Sequence, residues 1–137
     1  MKAPAEARAA GEHLVLTGRR ILIVDDNIGT ATLLAGAFQD AGAQVDVSRS
    51  ADAAVAQAAR RPPAVVVIHV PLPKDAAANL SRRLRRQPPL ADVAVAILAG
   101  DDGVDDDTAG AADILQTRPM SPPRLVDDVA RLMQSRP

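Results

Sequence analysis

Cysteine is absent from this chain, and so are tryptophan and tyrosine. Without thiols, disulfides, thiol nucleophiles and cysteine-ligated zinc sites are excluded. Phe38 is the one aromatic residue, so nucleic-acid bases find no aromatic platform to stack on. The core must be built from Val, Ile, Leu and Ala. An excess of one charge is lacking too: 16 Lys and Arg stand against 17 Asp and Glu, a net charge of −1. That balance gives no bulk attraction to nucleic acid or to a membrane surface. No apolar run approaches the ~20 residues needed to span a bilayer. Residues 1–12, "MKAPAEARAAGE", lack the apolar stretch of a targeting signal. A cytoplasmic protein is expected, and 137 residues suit a single domain with one core.

What is present is an alternation. Short apolar runs stand at 21–24 ("ILIV"), 44–48 ("QVDVS"), 64–68 ("AVVVI"), 93–98 ("VAVAIL") and 113–117 ("DILQT"). Between them lie stretches with helical spacing. Residues 28–41 place Leu34, Phe38 and Ala41 on one side and end at Gly42. Residues 50–61 open on Ser50 as a cap and are rich in Ala; Pro62 and Pro63 stop them. Residues 75–87 carry Leu80 and Leu84 inward. Residues 121–133 start at Ser121 with Pro122 in the first helical position, and bury Leu125, Val129, Leu132 and Met133. Strands alternating with helices imply βαβ units and a parallel sheet with helices on both faces. Residues 1–18 read as an extension, flexible in part, and 19–137 as the domain; "HLVL" at 13–16 is left open between an edge strand, a cover for apolar surface and disorder. The stretch 101–107, "DDGVDDD", has only Val104 as an apolar anchor. It is expected to be an acidic loop, leaving the fourth helix short or irregular.

In an open parallel sheet, binding groups gather beyond the carboxyl ends of the strands, near a switch in strand order. Asp25 and Asp26 follow the first strand, His69 the third and Arg118 the fifth. They converge if the first and third strands are neighbours. Taken in order, "ILIVDDN", "VVVIHVPLP", "LRRQPPLADVAVAILAG" and "AADILQTRPMSPPRL" resemble the response-regulator receiver domain, the CheY-like fold, over residues 20–135. The resemblance implies an α/β fold: a single doubly wound five-stranded parallel sheet in the order 2-1-3-4-5, which sets strands one and three side by side.

The same resemblance implies a mechanism. An acidic pair binds Mg²⁺, and an Asp on strand three accepts a phosphoryl group from a histidine kinase. A Thr or Ser after strand four and a Lys before a Pro after strand five hold the phosphoryl oxygens. On this sequence the acidic pair falls on Asp25 and Asp26, the Lys-Pro pair on Arg118 and Pro119, and the hydroxyl on Ala99. The phosphoacceptor position is His69, because Pro73 keeps the family's four-residue offset. The aromatic switch position is Leu115. Nitrogen thus stands where an oxygen nucleophile and magnesium ligand is needed. Ala99 has no hydroxyl, and Arg118 exchanges a compact ammonium for a planar fork.

A cationic imidazole and guanidinium would balance the two acids without a metal, so the pocket is expected to be locked by internal ion pairs. No cofactor or metal is expected, and no catalytic role. The expectation is a receiver-like adaptor in bacterial two-component signalling, independent of phosphorylation and acting by protein–protein interaction. Its partner would be a signalling protein, such as a histidine kinase or another regulator; nucleic acid and membrane are not expected, and a homodimer is allowed. With no output domain recognisable in the sequence, its effect is expected to run through a separate partner. Two alternatives stay open: a metal or small-ligand sensor using Asp25, Asp26 and His69, and a conventional phosphoacceptor, for which Asp75 lies too far along the loop. The "SRRLRR" run at 81–86 reads as a solvated helix face, with an anionic ligand as the alternative. His13 has no evident partner, and Ser121 is a cap with no accompanying base.

Overall fold

The computed structural model describes residues 14–69, 76–100, 105–117 and 121–136. Its strands are β1 (Arg20–Val24), β2 (Gln44–Ser48), β3 (Val65–His69), β4 (Ala94–Leu98) and β5 (Ile114–Gln116). The helices are α1 (Ile28–Asp40), α2 (Ala51–Arg60), α3 (Ala76–Arg85), α4 (Asp106–Ala111) and α5 (Pro122–Gln134), with a 3₁₀ turn at Pro88–Leu90. The strands form one sheet in the order β2-β1-β3-β4-β5, every neighbouring pair parallel. This is the expected 2-1-3-4-5 topology.

Each central strand is apolar throughout because both its faces are covered. Ile21, Ile23, Val65, Val67, Ala96 and Leu98 meet Leu34 and Phe38 of α1 and Leu125, Val129 and Met133 of α5. On the other face Leu22, Val24, Val66, Ile68, Val95 and Ile97 meet Ala54 and Ala58 of α2 and Leu80 and Leu84 of α3. The small alanines of α2 let that helix lie close to the sheet.

Helix starts follow local cap chemistry. The side chains of Asn27, Ser50, Asp105 and Ser121 accept from the backbone N–H of Thr30, Ala53, Thr108 and Arg124. The Asp105 cap corrects the expected acidic loop. Residues 105–107 form the cap and first turn of α4, where Asp106 and Asp107 sit at the positive end of the helix dipole. The fourth helix is short, as expected, at six residues; 101–104 lie outside the described residues.

Residues 15–18 form a turn rather than an edge strand. Leu16 is fully buried in the α1/α5 face of the core, and its N–H donates to Ala41 O at 2.9 Å. Gly42 permits this docking. Its φ is +97°, and a Cβ there would lie 2.7 Å from Thr17 Oγ1 and 2.8 Å from Leu14 Cβ.

Candidate functional site

β1 and β3 are adjacent, with Val24 level with Ile68. The next residue on each, Asp25 and His69, therefore meet at the carboxyl end of the sheet. His69 Nδ1 lies 3.1 Å from Asp25 Oδ1. A carboxylate only accepts, so Nδ1–H donates to it. Asp25 Oδ1 also accepts from Asn27 N at 2.9 Å, and Asp25 N donates to Ser48 O at 3.0 Å. The Asp25 side chain is wholly buried, and that of His69 is 17% exposed. Asp25 Oδ2 is buried without a partner. One oxygen of this carboxylate is thus committed to the chain itself, and the other is stranded.

The other expected site residues divide. Asp26 is exposed; its carbonyl accepts from Arg49 Nη2 at 3.3 Å, and its carboxylate makes no ion pair with His69. The two acids thus differ in burial, Asp25 inside and Asp26 at the surface. Ala99 is buried, its N–H donating to Gln116 O at 2.8 Å. Leu115 is 43% exposed on β5. Pro73, Asp75, Arg118, Pro119 and His13 lie outside the described residues.

Two groups were not anticipated. Asn27 both caps α1 and gives its N–H to Asp25; its signal was an Asn placed just before the helical pattern begins. Gln116 is buried on β5, its Oε1 accepting from Ser121 N at 3.0 Å and its Nε2 left without a partner. Its signal was a polar amide in an apolar strand.

The arginine run on α3 is not a free anion site. Arg82 pairs with Asp107 of α4 at 3.2 Å, Arg83 with Asp52 of α2 at 3.0 Å, and Arg85 with Asp113 at 3.1 Å. Arg85 also donates to the carbonyls of Ala111 and Val93. The run is a solvated face, with Arg82 and Arg86 exposed, whose ion pairs tie α3 to both neighbouring helices and to the start of β5.

The donor set does not suit the magnesium ion that the resemblance implies. Mg²⁺ asks for a near-octahedral set of oxygens. Here a nitrogen ends β3, and one oxygen of Asp25 is taken by His69 and Asn27. No group of three acidic, histidine or cysteine side chains is placed to hold a metal among the described residues. No described helix is long and apolar enough to cross a membrane.

Residues 21–130 match the family model described as the response regulator receiver domain. Among solved structures, the chain is similar to the receiver domain of a signal transduction histidine kinase from Syntrophus aciditrophicus. The two are 26% identical with a TM-score of 0.74, covering 87% of this chain and 92% of the other. A sensor protein from Polaromonas sp. JS666 is 25% identical with a TM-score of 0.75, covering 86% and 98%. The chemotaxis response regulator CheY4 of Vibrio cholerae shares the fold at 21% identity, with a TM-score of 0.75 over 85% and 99%. No curated protein matches the chain in sequence.

Proposed function

Since the chain belongs to the response regulator receiver domain family, we propose that it is a phosphorylation-independent receiver, a cytoplasmic adaptor of bacterial two-component signalling that acts by binding another signalling protein. It is not an enzyme in this reading. One observation carries it: the imidazole of His69, placed at the end of β3, is held 3.1 Å from the buried Asp25. Acyl phosphate formation needs a carboxylate oxygen at that position as nucleophile and a metal to offset the incoming charge. The β3 position supplies nitrogen, and the acid beside it is already paired within the chain. Ala99 offers no hydroxyl to follow a phosphoryl group.

The partner is a histidine kinase or another regulator, recognised by surface rather than by phosphorylation state. The test is incubation with magnesium and a small-molecule phosphodonor, followed by intact mass measurement. The expected spectrum is unchanged. A stoichiometric single-phosphate adduct that hydroxylamine removes would overturn the proposal, because that lability marks an acyl phosphate.

A further inference from the structure

β2 is an open edge of the sheet, paired on one side with β1 alone among the described residues. Its outward backbone groups have no ladder partner, so it is a template for another strand. Its five residues read Gln44-Val45-Asp46-Val47-Ser48, nearly symmetrical about Asp46. Val45 packs into the α1/α5 face of the core, and Val47, two residues on, belongs to the same face yet is 41% exposed. We propose that this edge pairs antiparallel with the β2 edge of a second copy of the chain, centred on Asp46. That register sets Val45 opposite Val47 of the second copy and covers both exposed valines by one two-fold operation.

Two further features fit a second copy. α1 packs over β1 and β2. With strands ~4.8 Å apart, extending the sheet through β2 brings the two α1 helices to about 10 Å, at the upper end of helix packing distances. In a right-handed β1-α1-β2 crossover, the flank of α1 beside the open edge carries Ile28, Thr32, Ala35 and Gln39, one uncharged stripe at helical spacing. Ile28 is 64% exposed. On the opposite face, a charge on an edge strand ordinarily discourages pairing. Here Asp46 is held by Arg20 at 3.2 Å and by Arg61 at 3.5 Å. Two copies would bring four guanidiniums to two carboxylates, and the Arg61 side chain, paired with Asp46, is still 61% exposed.

Sedimentation velocity on the full chain, from micromolar to millimolar, is expected to show a concentration-dependent dimer. Val47→Lys should raise the dissociation constant by at least about tenfold with an unchanged melting temperature. The chain has no native cysteine, so register is also testable. Mixed Val45→Cys and Val47→Cys chains should form disulfides with each other in preference to like pairs. A monomer at every concentration, a dimer that survives Val47→Lys, or like pairs linking as readily as unlike ones overturns the proposal. Dimerisation seen only after removal of residues 1–13 would assign the edge to that segment and overturn it equally.

Discussion

Replacing His69 with Asp restores oxygen to the end of β3 and reverses the charge logic of the crevice. His69→Asp removes a hydrogen bond to a buried carboxylate, a contribution of ~1.5–3 kcal/mol. It also sets a second carboxylate against Asp25, where the two side chains now approach to 3.1 Å. Two like charges ~4 Å apart repel by roughly 4 kcal/mol at a surface-like effective dielectric. Rotation of the new side chain toward solvent, open there because His69 is 17% exposed, relieves about half of that. The net loss without metal is ~4 kcal/mol, a melting temperature lower by ~12–15 °C for a chain of this size. The variant places an oxygen donor beside Asp25, whose Oδ2 has no partner, so Mg²⁺ should bind it. At a hundredfold excess over Kd the ion returns ~2.7 kcal/mol, most of the lost melting temperature. Thermal melts followed by circular dichroism, with magnesium or with a chelator, measure both effects. The native chain should melt alike in both buffers. Equal stabilisation of native protein and variant by magnesium would refute the account of the pocket, as would a variant as stable as the native chain in chelator.

Other substitutions probe the scaffold. Gly42→Ala forces a left-handed φ and a Cβ 2.7 Å from Thr17 Oγ1; it should destabilise by ~3 kcal/mol in urea unfolding with an unchanged slope. Gly36→Ala, inside α1 with open space around its Cβ position, should instead stabilise by ~0.5–1 kcal/mol in the same assay. Phe38→Ala empties the largest fully buried side chain of the core and should lower unfolding free energy by ~3–5 kcal/mol. Asp113→Ala removes the acceptor of Val95 N and the carboxylate partner of Arg85, for a loss of ~2 kcal/mol. Asp52→Ala, which breaks only the exposed pair with Arg83, should change chemical stability by less than ~1 kcal/mol.

Element order, strand identity and most helix starts were legible in the residues alone. Apolar runs, Ser50 and Ser121 as caps, and Gly42 as a stop act within a few residues, so their pattern survives in one dimension. The parallel alternation then limited the topology, and the order 2-1-3-4-5 set Asp25 beside His69. What escaped was the choice of partner and of burial. Asp25 and Asp26 are adjacent and alike in sequence, yet one is wholly buried and the other exposed, because neighbouring residues at a strand end point to different surroundings. The arginines of α3 showed no partners because their acids lie on other elements, 25 to 31 residues away where Asp107 and Asp52 are concerned. Leu16 counted for little until α1 came down beside it. Local chemistry is written in order along the chain; pairing between residues 44 positions apart, as for Asp25 and His69, exists only once the sheet has closed the distance.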